Sequence, residues 1–193
     1  MQRKVFGGLI ALLLVALILP SAAHAAVVGR FTLIKGQVDV LKGGKVPGIP
    51  AKVQDGVEPG DVIRTKSGAK AQLSMVDASV ITLAPESRLA VADFHYDSAR
   101  GERRAVVRLF RGLVHTVVNR IIKTEEPDFI METHTATIGV RGTNWYTLLG
   151  PNSTGVYLPQ GVLGVSSTLR TVPDSLRLQS GNFTKVIQGL QPS

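Results

Sequence analysis

At 193 residues the chain is about one domain of protein, taking roughly 150 residues per domain. It contains no cysteine, which excludes a disulfide framework, a Cys-ligated zinc or iron–sulfur site, a thiol nucleophile and a lipidated N-terminal Cys. Lys+Arg 22 against Asp+Glu 14 gives a net charge of +8 spread along the chain, and 44% hydrophobic with 19% charged residues excludes a disordered composition.

The N-terminal stretch reads as an export signal. Gln2-Arg3-Lys4 is a short positive region, and Val5 to Leu19 is an apolar run with two glycines. Pro20-Ser21 breaks the helix, and Ala23-His24-Ala25 offers small residues at the two positions a signal peptidase reads. The pattern predicts a Sec signal-peptide helix over 1–25, cleaved after Ala25. The rival is an uncleaved anchor, which would make the chain a membrane-anchored signalling component. A span needs about 20 apolar residues, and Pro20, Ser21 and His24 interrupt this one too early. Arg3-Lys4 is not a twin arginine. Cleavage removes Arg3 and Lys4, leaves a charge of +6 and leaves no stable membrane span. A cysteine-free exported chain fits a Gram-negative periplasm.

Beyond residue 26, short runs of period two take the place of amphipathic helices. Gln37 to Val40, Ala69 to Met75, Val80 to Leu83 and Arg88 to Tyr96 read as strands bounded by Gly, Pro, Asp and Ser. Arg104 to Val118 is two apolar runs joined by Arg111-Gly112. Phe129 to Leu149, Val156 to Thr168 and Leu176 to Ile187 complete the set. A loose Leu-x-x-Gly-x-apolar echo recurs around Gly36, Gly112, Gly161 and Gly181 without a fixed period, so there is no regular repeat array. Lys42 to Pro59, Asp97 to Arg104 and Asn119 to Asp128 read as connecting segments. The expected layout is a single all-β domain over 26–188, an irregular β-helix or β-solenoid with a β-sandwich as the alternative, and a frayed tail over 189–193.

Two blocks then stand out: Pro59-Gly60-Asp61-Val62-Ile63-Arg64-Thr65, running on to Asp77-Ala78-Ser79, and Ile138-Gly139-Val140-Arg141-Gly142-Thr143-Asn144-Trp145. With Leu109-Phe110-Arg111-Gly112 they resemble the FecR family of bacterial periplasmic domains, over about Val27 to Thr168. Ala78 stands where that family usually has Gly, and His134 where it usually has Pro. The resemblance implies a β-rich periplasmic domain. In the family's best-known members this domain receives a signal from an outer-membrane transporter, and a cytoplasmic segment before a membrane span controls a sigma factor. Only four residues precede the apolar run here, so the expectation is a free periplasmic module without the anti-sigma segment.

The residues of those blocks have a physical reading of their own. Asp61 after Gly60 can accept backbone N–H bonds at a tight turn, and Asp77 with Ser79 can do the same at the next. Arg141 sits at a bend, where its guanidinium can bond turn carbonyls or pair with an acid such as Asp61 or Asp77, or else contact a partner protein. Gly142, Thr143 and Trp145 complete the structural motif, with Gly142 expected at positive φ and Trp145 in the core.

Catalytic and cofactor motifs are absent. There is no phosphate loop, no dinucleotide fingerprint, no Gly-x-Ser-x-Gly elbow and no His-Glu-x-x-His. Asp93, His95 and Asp97 alternate on one strand face and could bind a metal or serve as acid and base, but a solvated face looks the same. Glu125, Glu126 and Asp128 are carboxylates in a linker-like run. The basic cluster Arg100, Arg103, Arg104, Arg108 and Arg111 reads as a solvated rim or as attraction to an anionic surface. Arg104, Arg108 and Arg111 are its candidate partner-binding residues. Aromatic residues are 5% of the chain, too few for a nucleic-acid stacking platform. The sequence therefore points to a non-catalytic envelope module without a cofactor or metal, binding a protein or glycan. An enzyme acting on cell-wall polymer is the alternative.

Overall fold

A computed structural model describes residues 26–121, 126–168 and 175–193. The signal-peptide reading of 1–25, and Glu125 with it, lie outside the described residues. The described chain is all-β, with a single 3-10 turn at Lys42–Gly44 and no α-helix. The strands are β1 (Gly29–Lys35), β2 (Val38–Leu41), β3 (Ile49–Pro50), β4 (Gly56–Val57), β5 (Val62–Thr65), β6 (Lys70–Met75), β7 (Val80–Leu83) and β8 (Arg88–Asp97). They continue as β9 (Glu102–Val118), β10 (Phe129–Glu132), β11 (Ala136–Val140), β12 (Thr143–Leu149), β13 (Ser153–Gln160), β14 (Val162–Ser167), β15 (Ser175–Gln179) and β16 (Phe183–Ile187). Each period-two run predicted a strand here, and the Lys42 to Pro59 connection adds two short ones, β3 and β4.

The hydrogen-bonded network has two arms that share β9. One arm, layer I, runs β4-β1-β6-β7-β9-β12-β13-β16. The other, layer II, runs β3-β2-β5-β8-β9-β10-β11-β14-β15. Every pair is antiparallel except β9 with β10. The chain passes back and forth between the layers like an irregular coil, while the layers enclose one core as in a sandwich. Phe31, Leu73, Ile81 and Trp145 of layer I belong to the same buried cluster as Ile63, Val91, Phe129 and Ile138 of layer II. Trp145 meets Phe129 edge to face, with ring centroids 5.9 Å apart. Such aromatic pairs add about 0.5–1.5 kcal/mol beyond area burial.

β9 explains how one strand serves both layers. Leu89 faces Leu109 and Arg88 faces Arg111, so Phe110 is an extra residue on β9. Such a bulge shifts the strand's parity by one. In layer II the buried positions are Arg103, Ala105, Val107 and Leu109; in layer I they are Val114, Thr116 and Val118. Gly112 follows the bulge at φ +94, where an added Cβ would lie 2.7 Å from the Ser87 Cα. The two sequence runs are thus one bent strand.

A second link between the layers is polar. Thr154 Oγ1 on β13 lies 2.7 Å from Thr133 Oγ1 and 2.6 Å from Thr135 Oγ1 in the β10–β11 turn, all three residues buried. The tail expected to fray is tied down: the Ser193 and Lys185 backbones exchange hydrogen bonds of 3.2 and 3.3 Å. No described helix is long and apolar enough to cross a membrane.

Candidate functional site

The motif residues read from sequence build turns. Asp61 is buried, and its carboxylate accepts the N–H of Gly43 at 3.0 Å and of Glu58 at 2.9 Å, with the Lys42 ammonium at 2.7 Å. Gly60 precedes it at φ +91. Asp77 accepts the Ser79 backbone N–H at 3.0 Å and its hydroxyl at 2.6 Å. Gly142 sits at φ +133 with its α-carbon against Arg120, so an added Cβ would fall 2.6 Å from the Arg120 Cα. Thr143 is buried, and its hydroxyl donates to the Val162 carbonyl at 3.1 Å. Trp145 is fully buried, its indole N–H donating to Thr147 Oγ1 at 3.0 Å.

Arg103 departs from its reading as part of a solvated charge run. Its side chain has no solvent exposure. It donates to Asp77 Oδ2 at 2.7 Å, to the Asn119 carbonyl at 3.1 Å and to Asp128 Oδ1 at 2.6 Å, and its guanidinium lies 5.9 Å from the Phe129 ring centroid. One guanidinium fork thus ties together the β6–β7 turn, the end of β9 and the entry to β10. Asp61 and Asp77, the acids weighed as partners for Arg141, carry Lys42 and Arg103 instead. Arg141 is half-buried beside a groove that it lines with Arg120, Arg177, Gly139 and Gly164.

The three arginines weighed for partner binding lie on the outer surface of layer II. Arg104 and Arg108 share the exposed face of β9, and the Phe110 bulge leaves Arg111 exposed as well. Each has an acidic neighbour: Arg104 with Asp93 at 2.6 Å, Arg108 with Glu132 at 2.7 Å and Arg111 with Glu86 at 2.9 Å. The first two pairs are cross-strand, the third joins β9 to the β7–β8 turn, and all three are solvated, worth about 0–1 kcal/mol each. The cluster is therefore a charge-balanced lattice, not a bare cationic patch. Beside it opens a recess of about 500 Å³ lined by Arg108, Phe110, Glu132, His134, Thr137 and Thr168. On the same layer Arg64 donates Nε and Nη2 to the two Asp39 oxygens at 2.6 and 2.7 Å. These bonds hold the Asp39 carboxyl below its ordinary pKa.

Of the weighed catalytic groups, Asp93, His95 and Asp97 do share the outer side of β8, with His95 exposed, while the remaining ones are dispersed. Asp97 Oδ1 accepts the N–H groups of Ala99 and Arg100 in the β8–β9 turn, and Asp93 carries Arg104. Asp128 is bound to Arg103, Glu126 is exposed, His134 Nε2 lies 3.0 Å from the Pro151 carbonyl, and His115 sits on the other layer. Among the described residues no group of three His, Asp or Glu side chains could hold a metal.

The outer face of layer I is a surface the sequence reading missed. Paired strands place Thr82, His115, Tyr146, Tyr157 and Phe183 in one row across β7, β9, β12, β13 and β16. His115 stacks on Tyr146 at 4.2 Å between centroids, and Tyr146 on Tyr157 at 6.2 Å. Phe183 lies over Gly155, where an added Cβ would come 3.1 Å from the ring. Leu148 and Ile187 flank the row, both exposed. None of the fourteen acidic residues falls in the strands of layer I, counting β9 from Gly112 onward. The only sequence signal for this face is that missing acidity, spread over separate segments of the chain.

The family model described as FecR protein matches residues 61–162, or 102 of the 193 residues. No curated protein matches the chain. Two crystal structures of a candidate anti-sigma factor from Parabacteroides distasonis ATCC 8503, at 1.65 and 2.50 Å resolution, share the fold. Each has 18% identity and a TM-score of 0.53, covering 67% of this chain. This chain matches 56% of that protein's length. Asp61, the Asp77 turn and the Arg141-Gly142 bend all fall within the family match, and the chain belongs to the FecR family.

Proposed function

We propose that this chain is an exported, non-catalytic FecR-type module that binds a protein partner in a bacterial envelope and takes part in signalling. Family membership and the fold likeness to a candidate anti-sigma factor support a regulatory role. The basic, apolar and small-residue order of residues 2–25 supports export. The observation that carries the binding reading is the recess on layer II. It sets the Arg108–Glu132 pair, the exposed Phe110 ring and the His134 imidazole around one concavity of about 500 Å³. A charge pair beside an aromatic anchor, ringed by hydroxyls, is what a protein surface needs to fix register and orientation.

A photo-cross-linking residue in place of Phe110, in living cells of the native host, tests the reading. A discrete protein adduct that disappears in Arg108→Glu supports it. Absence of an adduct, or an adduct unaffected by Arg108→Glu, overturns it. Intact mass of the protein recovered from the periplasm is expected to begin at Ala26.

A further inference from the structure

We propose that the outer face of layer I rests on an anionic lipid bilayer, with Phe183, Leu148 and Ile187 entering the headgroup boundary. The inference is independent of any partner bound to the opposite layer.

Three observations converge on it. First, large apolar groups are exposed on neighbouring strands of the sheet. Phe183 is 61% exposed, Leu148 55% and Tyr157 44%, and all three sit on the adjoining strands β12, β13 and β16. Protein interfaces gather their anchors into well-packed pockets, whereas a bilayer takes up a broad apolar face ringed by amphipathic tyrosines.

Second, the charge is of one sign. The layer I strands hold Arg30, Lys35, Lys70 and Lys185 and no acid. Lys185 lies between Phe183 and Ile187 on the same face of β16. Arg30, Lys35 and Lys70 stand on β1 and β6, beyond the other end of the aromatic row. Lys35, Lys70 and Lys185 make no ion pair with a described residue, unlike Arg104, Arg108 and Arg111 of layer II. Cations flanking an apolar centre complement lipid phosphates. The same cations on two copies of this face would oppose each other, which disfavours a second copy as occupant.

Third, the central rings are stacked on one another. The faces of Tyr146 are covered by His115 on one side and Tyr157 on the other, with interplanar angles of 13° and 29°. A sugar requires an open ring face to stack on, and the stacked neighbours of Tyr146 occupy that position at the centre of the row.

Both layers and the whole core lie within residues 28–187, so the chain from Ala26 carries the complete fold. That chain is mixed with vesicles of equal phosphatidylglycerol and phosphatidylcholine, or of phosphatidylcholine alone, and separated by flotation. It is expected to float with the anionic vesicles and not with the neutral ones. Raising salt to about 0.5 M is expected to release it, a test that needs no variant. Phe183→Ser with Leu148→Ser is expected to weaken binding about tenfold or more. Lys70→Gln with Lys185→Gln is expected to weaken it about twentyfold. Lys45→Gln with Lys52→Gln, the same change in net charge made outside layer I, is expected to retain it. Failure to float with anionic vesicles overturns the proposal, as does equal loss in the layer I and control lysine pairs. A dimer that dissociates in the Phe183→Ser, Leu148→Ser variant, without any flotation of the unaltered chain, overturns it in favour of a second copy.

Discussion

Arg103 Nη1 donates to Asp77 Oδ2 at 2.7 Å, and neither side chain has any solvent exposure. The pair is completed by Asp128 at 2.6 Å and by the Ser79 hydroxyl at 2.6 Å on the same Asp77 oxygen. A buried charge left behind without its partner is far costlier than the pair is beneficial. Arg103→Met is therefore expected to destabilise the domain by about 3–5 kcal/mol, since it leaves two buried carboxylates without their cation. Urea unfolding of the chain from Ala26 measures this. A loss below about 1 kcal/mol would place the network in solvent.

Glycine positions separate conformational cost from steric cost. Gly68 has φ +67 with nothing within 4 Å of where a Cβ would stand, whereas Gly142 has φ +133 with the Arg120 backbone in the way. Gly68→Ala is expected to cost about 1 kcal/mol, the ordinary cost of a non-glycine residue in this region. Gly142→Ala is expected to cost several times more, and Gly142→Val to prevent accumulation of folded protein. Equal unfolding midpoints for the two alanine variants would show that the β11–β12 turn relaxes freely.

Trp145 is the only tryptophan and is fully buried against Phe129. Trp145→Ala is expected to cost about 3–5 kcal/mol, as large-to-small core changes do. Tryptophan emission of the folded chain is expected at short wavelength, shifting red in one step on unfolding. An emission maximum already at the solvent-exposed position in the native state would contradict the burial.

Asp39 gives the pH dependence a sign. Arg64 holds its folded-state carboxyl below the unfolded value near 3.8. A depressed carboxyl contributes stability above the unfolded pKa and loses it as pH falls through the folded pKa. Both side chains retain contact with water, so the contribution is discounted to about 1 kcal/mol or less. Asp39→Asn is expected to be less stable than the unaltered chain at pH 7, with the gap closing below about pH 4. A gap that widens on acidification would reverse the assignment.

The strand plan was legible because half-buried strands alternate, as Lys70 to Met75 and Val80 to Leu83 do, whereas in Arg88 to Tyr96 an extra residue between Val91 and Asp93 shifts the alternation. The turns were legible where a single residue carries the chemistry, as Asp61 and Gly142 do. Arg103 was obscured by its arginine neighbours, although it shares parity with Ala105, Val107 and Leu109, which are buried. Following that parity would have placed it inside. The aromatic row was not legible, because it takes one residue from each of several strands. Only the register between strands brings His115, Tyr146, Tyr157 and Phe183 together, and register depends on bulges such as Phe110. The layered arrangement was similarly hidden, since nothing local marks one continuous strand as crossing from one layer to the other.

That crossing has a mechanical meaning. Because the same run of peptide bonds forms the middle of both walls, the two are covalently continuous there. A tug received on the ion-paired side travels through covalent backbone to the aromatic side. Two surfaces that face opposite directions are thereby joined within a single strand.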